Sequence, residues 1–308
     1  MDFKKDKNFM CSKNIKDAIF FACMVAIPTI HFFIFWFGVN INSILLSFKV
    51  YDGETYKWDF LANFERFFNE FRIAEYLGIA VKNSLIASLF TVVLNIALSI
   101  IFSLYIYRRY LGASLFKVIL FIPSIISSIV MVRIYGMICD ETIPKIAELV
   151  FGDSEFMGLL ANTETKFGTI LFYCLWSGFG SPILIYVGSM NNISESVSEA
   201  AKLDGANFIK ESWYITLPLI FPTIVTYITV ALTGIFTNEL SLYSFYGDAA
   251  EYTVQTIGYW FYCGVLNAEG QVAQYPYYAA IGLVFTFICV PVVLVVRWLL
   301  NKYGPSEE

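Results

Sequence analysis

The chain has 308 residues, of which 58% are hydrophobic, 18% aromatic and only 15% charged, and its mean hydropathy is +0.65. Soluble domains run at about 45–50% apolar and about 25% charged, so a soluble or disordered chain is excluded and a membrane protein is left. The net charge of −5 excludes the basic face that a nucleic-acid binder needs.

A bilayer crossing takes about 20 mostly apolar residues. Six segments meet this, at 18–48, 79–107, 115–139, 167–190, 214–238 and 277–300. The first is far longer than a signal-peptide core and no small-residue cleavage site follows it, so it reads as an uncleaved helix of a bacterial inner membrane or its equivalent. Its histidine, His31, is the only one in the chain and cannot build a metal site alone. A packed or boundary histidine is the reading.

An even number of spans puts both termini on one side. That side collects 12 basic residues, including Lys4, Lys5, Lys7, Lys13, Arg108, Arg109, Lys202, Lys210 and Arg297, against six in the opposite loops. The positive-inside rule therefore places the termini and the 108–117 and 191–213 loops in the cytoplasm. The outer loops, 49–78, 140–166 and 239–276, carry a net charge of −10. The six cysteines (Cys11, Cys23, Cys139, Cys174, Cys263, Cys289) show no C-x-x-C pair and sit in apolar runs, and read as small packing residues.

Among the inner loops, 191–213 is long, helical in propensity and charged on one side. It suits docking of a soluble partner, and equally a solvated interfacial helix. It contains Glu199-Ala200-Ala201, then Gly205 after three residues, then Ile215, Leu217 and Pro218 after nine more. Ala200 and Ala201 flatten one helix face, Gly205 permits a sharp turn, and Pro218 is tolerated in a first helical turn. Ser194 and Ser198 offer hydroxyls near the helix start, and Glu195 and Glu199 favour its positive end. Pro222 marks a kink in the span that follows.

This spacing resembles the EAA motif of ABC importer permeases, the membrane components of binding-protein-dependent transport systems. All seven positions match, a chance event of order 10⁻⁹ per starting point at ordinary residue frequencies. Weaker matches run along the rest of the chain: Leu46-Ser47-Phe48, Asn63 to Phe68, Lys82-Asn83-Ser84, Pro123 to Ser127, and Trp176 to Gly180. In this order they resemble the carbohydrate branch, similar to maltose and multiple-sugar permeases. Two departures bear on subfamily: Ile193-Ser194 stands where the family often has Ile-Pro, and Gly247-Asp248-Ala249-Ala250 where Gly-Gly-Pro is common.

The resemblance implies an all-α integral membrane protein with six transmembrane helices and type I importer architecture. Its expected parts are a cytoplasmic segment 1–17, a first helix and outer loop 18–78, a five-helix core 79–300 containing the 191–218 coupling loop, and a tail 301–308. It implies a sugar-importing permease without catalysis of its own, or a permease for a related solute such as glycerol phosphate. Glu199, Ala200, Ala201, Asp204, Gly205, Ala206, Ile215, Leu217 and Pro218 would couple to an ATPase. The implied partners are a second permease, two cytoplasmic ATP-binding subunits that hold ATP and Mg, and an extracytoplasmic solute-binding protein. No phosphate-binding G-x-x-x-x-G-K-[ST] loop occurs in the chain itself. A channel or secondary transporter is the contrasting class, and neither a filter nor a set of mid-span ionisable residues is evident.

Polar residues deep in spans are costly and attract functional readings. Asn95 reads as a bond to a neighbouring helix or as a ligand contact. Arg133 reads as a structural or snorkelling residue. By the resemblance, Asn238 and Glu239 are expected to meet sugar hydroxyls, with Tyr243 or Tyr246 stacking on a sugar ring. The alternative is that Asn238 and Glu239 mark the outer membrane boundary.

Overall fold

The computed structural model describes residues 3–152 and 156–305, with side chains from Ile15 onward. Lys4, Lys5, Lys7 and Lys13, counted for the orientation, thus have side chains outside the described residues, as does Cys11, and so does the tail beyond Pro305. The described chain forms two compact units. One runs up to Phe67 and takes in Gly270–Leu283; the other holds Phe68–Glu269 and Val284 onward.

The first unit begins with α1 (Phe3–His31), a π-helical turn (Phe32–Phe37) and α2 (Gly38–Ser47). Together they give a continuous apolar helix, Ile15–Ser47, long enough to span. Every side chain from Ile15 to Leu45 is exposed, Cys23 among them, so the packing role expected for that cysteine does not hold. His31 sits in this helix with its ring 4.9 Å from that of Phe35.

A hairpin follows, β1 (Lys49–Tyr51) and β2 (Tyr56–Trp58), paired Lys49↔Trp58 and Tyr51↔Tyr56. It is an exception to the all-helical expectation. Its loop is the four residues Asp52 to Thr55, closed by the Asp52 amide on the Thr55 carbonyl at 3.1 Å, with Gly53 at the positive φ of 106° that favours glycine. The Asp52 carboxylate accepts from the Glu54 and Thr55 amides at 3.1 and 2.9 Å, and Lys57 lies 2.5 Å away. Lys57, chiefly, holds the Asp52 pKa down to about 2. At the start of α3 (Ala62–Ile73), buried Asn63 donates through Nδ2 to the carbonyls of Ser47 and Lys49 at 3.0 and 2.7 Å.

The second unit is organised around α4 (Glu75–Tyr107), which packs against five later helices. These are α5 (Ala113–Ile125), α8 (Thr163–Ser177), α9 (Gly180–Asn191), α12 (Leu217–Thr233) and α14 (Ile257–Asn267), with α6 (Ser128–Met137) and α7 (Ile143–Phe151) between α5 and α8. The polar stripe Asn95, Ser99, Ser103 on α4 is buried, and Ser103 Oγ donates to the Ile183 carbonyl of α9 at 3.3 Å. Small hydroxyl residues let membrane helices approach closely while their own polar groups stay satisfied.

The expected third span, 115–139, is not straight. The chain bends by 105° between α5 and the helical stretch Ser128–Phe151. Ile126 and Ser127 both have extended backbone, and Pro123 withholds an amide donor in the last turn of α5. Gly180 marks where α9 crosses α5: a Cβ there would overlap the Ser124 side chain. The bend carries Arg133 out of line with α5, so the placement of this arginine within a straight span is corrected.

The expected fifth span, 214–238, shifts as well. Helix begins earlier, at α11 (Phe208–Glu211), after α10 (Glu195–Leu203), and continues through a π-helical turn (Ser212–Thr216) into α12, which ends at Thr233. Pro218 and Pro222 each remove an amide donor here. Residues 234–241 are turns, and Leu240 and Ser241 take left-handed backbone at φ of 54° and 57°. Among the described residues, five helices, or six counting the bent pair, are thus long and apolar enough to cross a bilayer.

The segment expected on the outer side forms helical turns, α13 (Leu242–Tyr246) and α14, ahead of α15 (Tyr275–Tyr303). An aromatic core of Tyr135, Tyr173, Trp176 and Phe245 fixes α6, α8 and α13 together, with Cys139 buried and Cys174 and Cys263 half-buried beside it. Asn83 on α4 donates to the carbonyls of Thr253 and Gln255 at 2.9 and 3.0 Å, and Ser84 accepts from the Ile257 amide at 2.8 Å. Asn83→Ala leaves two carbonyls short of a donor, at about 1–3 kcal/mol for each buried orphan. The purified variant should melt below the parent in the same detergent, while Asn301→Ala, at an exposed site, should match the parent.

Candidate functional site

The loop between α9 and α12 is built from two capped helices. Ser194 stands at the N-cap of α10, but its hydroxyl pairs with that of Ser196 at 2.7 Å rather than with a backbone amide. At the other end the Ala206 amide donates to the Ala201 carbonyl (2.9 Å) and the Gly205 amide to Lys202 (3.1 Å). This is the Schellman closure, which calls for a left-handed residue at the position Gly205 occupies, with φ of +77°. Asn207 then caps α11 by accepting from the Lys210 amide at 2.9 Å.

The nine motif residues fall on two surfaces. Glu199, Ala200, Asp204 and Gly205 are exposed, with Leu203 beside them at 89% exposure. Ala201 is buried, and Ala206, Ile215, Leu217 and Pro218 are half-buried. The motif therefore has an inward half that seats the loop and an outward half that nothing among the described residues covers.

Sequence reasoning missed one cluster. Glu211 is 4% exposed, and its two carboxylate oxygens serve different elements. Oε2 lies 2.5 Å from Nη2 of Arg108, just past α4, and Oε1 accepts from Ser198 Oγ of α10 at 2.7 Å. The Arg108 guanidinium also sits 5.4 Å from the Phe208 ring. The available signal was an acid set among Phe208, Ile209, Trp213 and Tyr214, because a carboxylate entering an apolar stretch needs a counter-charge.

The four expected path residues do not meet in one place. Asn238 lines a cavity of about 300 Å³ with Ser88, Thr91 and Asn95 of α4 and Tyr227 and Thr233 of α12. Its Oδ1 accepts from the Leu240 amide at 2.9 Å, which leaves the Nδ2 donors free. Asn95 accepts from Ser99 Oγ at 3.3 Å within its own helix. Tyr246 lines a second cavity, about 340 Å³, with Arg133, Asp140 and Glu141. Its hydroxyl is buried without a hydrogen-bond partner, and burial first, then the nearby acids, push its pKa up to about 12. Glu239 and Tyr243 line neither cavity. Burial raises the Glu239 pKa, against a 3.3 Å bond from the Tyr243 amide, and the Tyr243 ring packs edge-on against Tyr262.

A family model described as binding-protein-dependent transport system inner membrane component matches residues 95–304. The multiple sugar-binding transport system permease protein MsmF of Streptococcus mutans is 23% identical over 278 residues, covering 90% of this chain and 93% of that protein. The arabinooligosaccharides transport system permease protein AraP of Halalkalibacterium halodurans is 22% identical over 286 residues, covering 90% and 86%. In structure, a chain of a bacterial ABC transporter involved in import of the acidic polysaccharide alginate superimposes with a TM-score of 0.76 at 19% identity, over 96% of this chain and 99% of that one.

Among the described residues, no heavy atom beyond its two chain neighbours lies within 4 Å of a Cβ built on Gly205, so a side chain there meets chiefly backbone strain. Left-handed backbone costs an ordinary residue about 1–2 kcal/mol, and asparagine less. Gly205→Val should speed amide hydrogen exchange at the C-terminal turn of α10, and Gly205→Asn should lie between it and the parent.

Proposed function

The chain belongs to the binding-protein-dependent transport system inner membrane components, and from that premise we propose that it is one permease of a sugar importer, with an oligosaccharide as cargo. The names of its relatives support the cargo class: multiple sugars, arabinooligosaccharides and galactooligosaccharides. A solute-binding protein delivers the sugar at the outer loops. A second permease completes the path, and two ATP-binding subunits, which hold ATP and Mg, act on the inner loops.

The observation that carries the coupling assignment is the divided surface of the 191–218 loop. Glu199, Ala200, Asp204 and Gly205 form the docking face, and the exposed Leu203 tip supplies apolar area to bury in the ATPase. Ala201, Ala206, Ile215, Leu217 and Pro218 hold that face in register with α12. ATP can shift the permease only if the ATPase grips this loop more tightly in one conformation than in another.

For the path, the cavity between α4 and α12 offers hydroxyls and amides suited to a polyhydroxylated solute. Asn238 and Asn95 are its amide contacts, and Glu239, Tyr243 and Tyr246 belong to the outer rim. Glu199→Lys should lower ATPase co-purification and ATP-driven uptake by tenfold or more, at unchanged membrane abundance. Asn238→Ala should lower uptake but retain the ATPase. Full uptake in the first variant would overturn the coupling assignment, and in the second would move the path elsewhere.

A further inference from the structure

We infer that Arg108, Glu211 and Ser198 are positioning residues that carry the movement of the 191–218 loop to both walls of the polar cavity. The inference rests on the proposed coupling role of that loop and names how its motion reaches the path.

A carboxylate buried as deeply as Glu211 must be paired, and removing one partner of such a pair is far more costly than the pair is stabilising. Here the pairing is divided among elements. Arg108 follows the last turn of α4, Ser198 lies on α10, and Glu211 stands at the head of the helix that becomes α12. Helices α4 and α12 are also the two that line the cavity, through Ser88, Thr91 and Asn95 on one and Tyr227 and Thr233 on the other. Displacement of α10 therefore either draws Glu211 and α12 with it, and through the ion pair Arg108 and α4, or breaks the Ser198–Glu211 hydrogen bond and leaves the buried carboxylate short of a donor.

The arrangement also has unused capacity. Nε and Nη2 of Arg108 are buried without a well-aligned hydrogen bond among the described residues, although Nη2 lies 2.5 Å from the Glu211 carboxylate. A guanidinium has five donors in a rigid fork, so a shift of the loop can exchange one carboxylate geometry for another without losing the ion pair. A contact able to persist through a shift can transmit it.

The test uses the whole transporter, purified from its native membranes through a tag on this chain, with native cysteines replaced and Thr91→Cys placed in the cavity. The readout is the rate of labelling by a membrane-impermeant maleimide, with and without ATP plus vanadate. In the parent, ATP plus vanadate should change the rate severalfold. Glu211→Gln and Arg108→Ala should keep the ATPase bound and the nucleotide-free rate unchanged, and the ratio should fall to about one. The double variant should be no worse than either single one, because the same link is already cut. Should these variants fail to assemble, Ser198→Ala removes one of the two contacts while leaving the charge paired, and should halve the response or more. A parental ratio in assembled Glu211→Gln, or in Ser198→Ala, overturns the inference while leaving the coupling loop assigned. A parent that does not respond to nucleotide overturns the cavity's place on the gated path, and this inference with it.

Discussion

Backbone that leaves its helix inside a membrane protein has no water to bond to, and the rest of the architecture follows from how that need is met. Three of the places where the chain breaks regularity near its spans have a buried polar side chain waiting. Asn63 takes the carbonyls at the end of the first span, Asn83 those of the outer loop at Thr253 and Gln255, and Ser84 the amide of Ile257. Thr256 adds a fourth tie by donating to the Asn238 carbonyl at 2.9 Å. These residues are fasteners rather than ligands. Asn83 and Ser84 tie residues 253–257 back onto α4, and the position of Asn238 at the cavity depends on Thr256.

The same economy appears on the other side. The EAA loop is a helix closed by a glycine, a second helix capped by an asparagine, and a charged clasp between them. Each device is local except the clasp, which joins the loop to the end of α4 by charge, beside the apolar packing of Ile193 and Leu217 in the cluster around Ile96. The local devices shape the proposed docking face, and the clasp and that packing connect it to the rest of the subunit.

What could be read from sequence follows the same division. The apolar helices, five or six depending on the bent pair, and the Gly205 turn are local properties of composition and spacing, and these are legible in the sequence. Hydropathy has no sense of direction, so it ran straight through Ile126-Ser127, where two extended residues turn the chain by 105°. It likewise carried the fifth span past Thr233 into turns that are apolar but not helical. The hairpin at 49–58 is too short and too polar for a hydropathy window to register. The Arg108–Glu211 pair joins positions about a hundred residues apart, and no window on one sequence brings them together. Asn238 was legible as a polar residue, but its separation from Tyr246 into different cavities depends on α13 turning away after Ser241.

Leu203 is the most exposed large side chain on the 191–218 loop, and Ile209, Trp213 and Tyr214 are exposed in the turn that follows. A subunit made in excess of its partners would present that tip bare, and a bare apolar tip marks it for chaperones and proteases. If this loop docks the ATPase as proposed, assembly would also cover the apolar tip that marks a lone subunit.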